Sequence, residues 1–150
     1  MIRDTIKAAQ ISAMKAGDKP RLAAVRLILA KLKDRDIELR TAATQPDDDA
    51  LAIEVLQKMV KQRRESIQLF EQGGRPEKAA EEQAELVVIE EFLPQQLSEA
   101  DTRAAIASIK DELGAAGPKE MGKVMAELKA RHGTVLDMSK ASGWVKEALA

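Results

Sequence analysis

Apolar residues recur at intervals of three or four positions along nearly the whole chain, and glycines and prolines separate the runs. One long run shows this pattern, with a single acidic residue among its apolar positions: Leu22, Val25, Leu29, Leu32, Asp36 and Leu39. Such spacing puts the apolar side chains on one face of an α-helix, where they pack against other helices. We therefore predict an all-α protein.

The rarest residue types narrow the class of protein further. Aromatic residues make up 2% of the 150 residues, and there is no cysteine. Aromatic residues are typical of β-sheets, and disulfides, thiolate metal sites and thiol nucleophiles all need cysteine. No apolar run approaches the roughly 20 residues that a membrane-spanning helix needs. We expect a cytoplasmic protein that does not contact a membrane.

Glycines, prolines and capping residues divide the chain into seven predicted helices. They cover residues 2–16, 19–40, 49–72, 76–92, 98–113, 119–131 and 137–149. The fourth helix ends before Leu93, because the following Pro94 disfavours helical geometry in that residue. We predict an N-terminal antiparallel bundle of about four helices over residues 1–96 and a small three-helix tail module over residues 97–150.

Neither a metal site nor a catalytic centre is predicted. The three aspartates at residues 47–49 fit an N-cap and first-turn anions, since the glycine turn and alternating ligands of a calcium loop are missing. His132 is the only histidine, and it stands before Gly133 at a predicted helix end, where a cation is favourable. Nothing in the sequence marks an orienting partner or a nucleophile for it. We expect no catalytic residues and no cofactor.

Arg63 breaks the apolar stripe of the third helix. A guanidinium at that position must either reach water or meet a carboxylate. In a hairpin that turns at Gly73 and Gly74, Arg63 is level with Glu85, and Glu81 lies one helical turn further on. We predict a structural ion pair with Glu85 or Glu81, and a ligand contact is the alternative.

Two lysines of the sixth helix suggest an anion-binding corner. Lys119 and Lys123 lie four residues apart, and Gly122 between them leaves the backbone exposed beside a predicted helix N-terminus. Amides, helix dipole and two ammonium groups together suit a phosphate. The alternative is a solvated lysine face on which Gly122 permits close packing between helices.

Four strings in this order resemble the YqeY family and cover most of the chain: RLAAVRLILAKLKDRDIE (21–38), KMVKQRRESIQLFEQGGR (58–75), EEFLPQQLSE (90–99) and MGKVMAELKARHG (121–133). The tail of that family is similar to the C-terminal domain of the B subunit of glutamyl-tRNA(Gln)/aspartyl-tRNA(Asn) amidotransferase, which helps to hold the tRNA body. The resemblance implies a helical bundle plus a three-helix tail. It also makes Lys119, Lys123, Lys129 and Arg131, with Gly122 beside them, candidate contacts to RNA phosphates.

The resemblance does not imply that this chain is itself a carbon–nitrogen ligase. The large kinase-like domain of the B subunit is missing, and nothing resembles the Ser-Ser-Lys centre of the partner amidase. We expect a noncatalytic tRNA-binding accessory protein. The alternatives are a protein-interaction adaptor, whose acidic 71–100 segment meets a basic partner, and an accessory component of an amidotransferase complex.

Overall fold

In the computed structural model, which describes all 150 residues, every regular element is a helix. The α-helices are α1 (Ile2–Ala16), α2 (Lys19–Glu38), α3 (Asp48–Gln72), α4 (Pro76–Glu91), α5 (Glu99–Leu113), α6 (Met121–His132) and α7 (Met138–Ala148). Short 3-10 turns lie at Leu39–Thr41, Pro118–Glu120 and Gly133–Val135. The prediction of an all-α protein is confirmed.

Side-chain caps begin four of the helices. Asp18, Asp47 and Ser98 each accept a hydrogen bond from the backbone N–H three residues later. Asp137 accepts from the amides of the two residues that follow Met138. These bonds satisfy amides that a helix N-terminus otherwise leaves without a partner. The polar residues between the apolar runs therefore fix where the helices start, as the sequence predicts.

The first compact unit comprises residues Met1–Leu93 and contains α1 to α4. α1 turns into α2 at Gly17, whose φ of 68° is the left-handed conformation that glycine adopts without strain. α3 turns into α4 at Gly73 and Gly74. The four helices share one apolar core: Ile6, Val25, Ile28, Leu32, Ala52, Val55, Leu56, Met59, Val60, Leu86, Ile89 and Phe92.

The second compact unit comprises residues Pro94–Ala150 and contains α5 to α7. Its core is separate and is formed by Ile106, Ile109, Ala115, Val124, Leu128, Leu136, Ala141, Val145 and Leu149. The segment before α5 joins this unit through the Leu97 N–H, which donates to the Val135 carbonyl at 2.8 Å. We call the two units the bundle and the tail.

Some predicted helix limits differ from the structure. α2 ends at Glu38, because Leu39–Thr41 tightens into a 3-10 turn, and α4 ends one residue early at Glu91. The predicted sixth helix begins with a 3-10 turn and becomes α-helical only at Met121. Leu113 is 42% exposed, because the chain turns at the left-handed Gly114 and buries Ala115.

Candidate nucleic-acid interface

The core of the tail fixes which side of α6 faces solvent. Val124 and Leu128, four residues apart, are fully buried against α5 and α7. The residues on the opposite side of this helix are therefore held in solvent by packing. Lys123 and Lys129 are both exposed, as is Lys119 in the 3-10 turn before α6.

None of these three lysines forms an ion pair in the structure. Lys119 lies in the 3-10 turn and Lys123 lies four residues further on, in the first turn of α6. Lys129 is six residues beyond Lys123, so it projects about 120° away around the helix. Two of the predicted lysines therefore lie at the start of α6, and Lys129 projects from another face further along the helix.

Gly122 lies in the first turn of α6, and its surroundings are open. A Cβ atom built on this residue would meet no heavy atom within 4 Å. The structure therefore gives no support to the alternative in which Gly122 permits close packing between helices. The glycine leaves exposed backbone next to Lys123.

The backbone at the start of α6 differs from the predicted anion-binding corner. The Glu120 amide donates to the Gly117 carbonyl at 3.1 Å, and the Met121 amide donates to the Pro118 carbonyl. The 3-10 turn therefore occupies amides that a free helix N-terminus would offer to an anion. The positive charge of this corner comes from the lysine side chains.

Arg131 has a different environment from the one that a phosphate contact needs. Its guanidinium meets Glu112 of α5 at 2.6 Å and Glu127 of α6 at 2.7 Å. The hydrogen bonds that Arg131 donates to Glu112 and, second, to Glu127 raise the pKa of Arg131, and the bond to Glu112 lowers the pKa of that carboxyl. Arg131 joins α5 to α6, and a phosphate would have to displace both glutamates.

A comparison with protein families shows what kind of chain carries this surface. The model of a family described as Yqey-like protein matches residues 3–149, which is nearly the whole length. The chain belongs to the YqeY family. No curated protein matches this sequence.

In this YqeY protein, Arg63 lies between two glutamates of α4. Its Nε atom is 2.9 Å from Glu85 Oε2 and 3.2 Å from Glu82 Oε2. The Nε–H bond of Arg63 points at neither glutamate oxygen. Both contacts are therefore ion pairs without a hydrogen bond from Nε. Glu81, the other predicted partner, instead approaches Lys78 at 3.4 Å. Glu82 is closer because it shares the inner side of α4 with Glu85, while Glu81 is exposed.

Sequence reasoning missed a second arginine cluster, at the N-terminus of this YqeY protein. Arg3 contacts Asp36 at 2.9 Å and Asp48 at 3.0 Å, which links α1 with α2 and α3. The hydrogen bonds that Arg3 donates to Asp36 and, second, to Asp48 raise the pKa of Arg3. The Ile2 amide donates to Asp49. The sequence signal for this cluster was Asp36, the acidic residue within the apolar pattern of α2, since a carboxylate beside a packed face favours a cation as its partner.

A third arginine, in the tail, was also missed. Arg103 meets Glu99 and Glu147 at 2.9 Å each, and its guanidinium lies 5.5 Å from the ring centre of Trp144. The hydrogen bonds that Arg103 donates to Glu99 and, second, to Glu147 raise the pKa of Arg103. The four-residue spacing of Glu99 and Arg103 could have revealed one of these contacts. Nothing in the sequence pairs Arg103 with Trp144.

No group of three or more histidine, cysteine, aspartate or glutamate side chains is arranged so that it could hold a metal ion. None of the helices combines the length and the apolar character required to cross a bilayer.

Proposed function

We propose that this protein is a cytoplasmic, noncatalytic accessory protein that binds tRNA through its tail. One observation carries the proposal. Lys119 and Lys123 are exposed and unpaired at the start of α6, whereas Arg103 and Arg131 are neutralised by glutamates. Unpaired cations on a rigid helix are the groups that contact phosphates in RNA.

The kind of recognition follows from the side chains at this surface. Lysine contacts phosphate as a point charge, and such contacts carry no sequence information. The tail has no exposed aromatic residue on α6 on which an unpaired base could stack. The proposed contact is therefore to the RNA backbone, and its affinity depends on salt and little on sequence.

The test is a titration of the full chain with a fluorescently labelled tRNA transcript at several salt concentrations. K119A/K123A is compared with K140A/K146A, which removes two exposed lysines without ion pairs from α7 of the same unit. We expect the first variant to bind about tenfold more weakly at 0.1 M salt and to lose about two units of salt slope. Equal losses in both variants, or no binding by the wild type at low salt, would reject the proposal.

A second candidate function is a protein-interaction adaptor, and one observation favours it. An open groove of about 250 Å³ lies on the bundle at the α3–α4 turn. Its lining includes Ile67, Pro76, Ala79 and Ala80, and Leu69 of α3 is 68% exposed. Affinity capture from cell lysate, with and without ribonuclease, separates the two functions. A specific protein that remains bound after nuclease treatment supports the adaptor.

A further inference from the structure

The first two helices carry an excess of cations that no carboxylate neutralises. Residues 1–40 contain ten Lys and Arg against five Asp and Glu. Arg3, Arg21 and Arg35 are used in ion pairs with acidic residues of the bundle. The remaining cations are all exposed and unpaired: Lys7, Lys15, Lys19, Arg26, Lys31, Lys33 and Arg40.

Several of these cations form a line along α2. Lys19, Arg26 and Lys33 are seven residues apart, and seven residues return to nearly the same side of a helix with a rise of about 10 Å. Arg40 continues the interval in the following 3-10 turn. We call Lys19, Arg26 and Lys33 the α2 cation line. The three cations span about 20 Å on one face of one rigid helix.

The residues between these cations have small side chains, so this face of α2 is accessible. Ala23 and Ala30 occupy the intermediate positions, and both are exposed. Ile37, further along the same face, is 46% exposed. From Lys19 to Lys33, a large ligand can therefore approach this face of the helix without meeting a bulky side chain between the cations. Asp34 lies beside the line and makes no ion pair, so one acid borders the cations on that side.

We propose that the α2 cation line binds the phosphate backbone of RNA, as a site on the bundle separate from the lysines of the tail. This inference rests on the proposed function, since it takes RNA as the ligand. The charge pattern favours a polyanion that spans the line, because phosphates repeat along a strand and each cation can neutralise one. The α2 cation line consists of two lysines and one arginine, with no asparagine or glutamine among them, and contacts from such cations to phosphates carry no sequence information.

An acidic protein helix fits this face less well. Protein interfaces depend on apolar or aromatic anchors at a core that is depleted of charge. The α2 cation line has no aromatic residue, its alanines offer little area, and only Ile37 stands nearby as a larger apolar side chain. The face therefore has the charge for an anionic partner but lacks the apolar centre of a protein interface.

The experiment uses the full chain and the same labelled tRNA transcript. R26A/K33A removes two members of the α2 cation line, and K58A/K61A removes two exposed, unpaired lysines from α3 of the same unit as a charge-matched control. Alanine at these exposed helix positions preserves helicity, which far-UV circular dichroism verifies. We expect R26A/K33A to bind tRNA about tenfold more weakly at 0.1 M salt, with a salt slope lower by about two, and K58A/K61A to change both much less.

The outcomes separate this inference from the proposed function. If the wild type binds tRNA but R26A/K33A and K58A/K61A behave alike, the α2 cation line is not a site, whereas the tail proposal stands. If the wild type does not bind tRNA at low salt, both fail. A parallel titration with poly-L-glutamate tests the other class of ligand. Loss of its binding in R26A/K33A with unchanged tRNA affinity would overturn the inference in favour of an acidic protein.

Discussion

Arg63 shows how one side chain can interrupt an apolar stripe without destabilising a helix pair. The fully buried residues of α3 end at Val60, so Arg63 stands at the edge of the core and is 16% exposed. Its stem can pack beside apolar residues while the guanidinium reaches carboxylates near water. A pair in this position is screened less than a surface pair, and it avoids the full desolvation cost of a buried one.

A double-mutant cycle measures this contact. Single and double alanine variants at Arg63 and Glu85 should show a coupling energy of about 1 kcal/mol in the free energy of unfolding, from urea denaturation followed by circular dichroism. The matched control is Lys78 with Glu81 on α4, an exposed pair for which we expect less than about 0.5 kcal/mol. Coupling no larger than that of the control would show that Arg63 is held by packing alone.

At the scale of residues, the sequence predicts a contact only when the helix register fixes it. The position of Arg63 relative to the turn at Gly73 and Gly74 was enough to name Glu85 as one of two candidate partners, because both helices are continuous between them. Glu81 was the wrong alternative. Counting residues from the turn predicts how far along α4 a partner lies, but it does not predict on which side of the helix that partner projects. The contact between Arg103 and Trp144 could not be predicted. It joins α5 to α7, and α6 with irregular connections on both sides lies between them in the chain.

The helix α6 contains a glycine that its packing does not require. Gly122 is helical and exposed, and an added methyl group would meet no atom within 4 Å. Gly143 in α7 has the same properties. Glycine in a helix interior costs about 0.5–1 kcal/mol relative to alanine. Folding of the tail therefore gives no reason for a glycine at either position.

Replacing each glycine with alanine separates stability from binding. We expect both Gly122→Ala and Gly143→Ala to stabilise the tail by about 0.5–1 kcal/mol, measured by urea denaturation followed by the fluorescence of Trp144. If RNA approaches the backbone beside Lys123, only Gly122→Ala should also weaken tRNA binding. Unchanged tRNA affinity in Gly122→Ala would mean that the RNA does not approach α6 at that residue.

At the scale of elements, the sequence predicts the existence of helices better than their ends. Capping side chains such as Asp18, Ser98 and Asp137 mark helix starts, because their hydrogen bonds are local. The 3-10 turn at Pro118–Glu120 left no comparable signal, and it changed which amides are free at the candidate site. A shift of two residues in a helix start therefore matters little for the fold and much for the chemistry at its N-terminus.

In the whole molecule, apolar burial and charge have separate roles. Each unit has an apolar core of fully buried aliphatic side chains, whereas the ion pairs lie mostly on the surface. Exposed ion pairs contribute about 0–1 kcal/mol each and are screened by salt, but apolar burial is not. The unpaired cations of α2 and α6 therefore matter for binding far more than for folding.

This separation predicts that salt changes the stability of the fold little and the affinity for tRNA strongly. Raising NaCl from 0.05 to 0.5 M should change the free energy of unfolding by no more than about 1–2 kcal/mol, as measured by urea denaturation. The same change should weaken tRNA binding by several orders of magnitude if the chain makes about five phosphate contacts. Loss of helical circular dichroism at high salt would instead show that the ion pairs are needed for the fold.

The turn between α3 and α4 has a practical consequence. Gly73, Gly74 and Arg75 are exposed, and Gly74 has a φ of 70° in a tight reversal at the end of a long hairpin. Exposed loop tips tolerate inserted sequence better than other places in a fold. A peptide tag inserted there would leave α2 and α6 uninterrupted, so the chain could be tethered to a sensor surface by this turn while either cationic helix meets a ligand in solution.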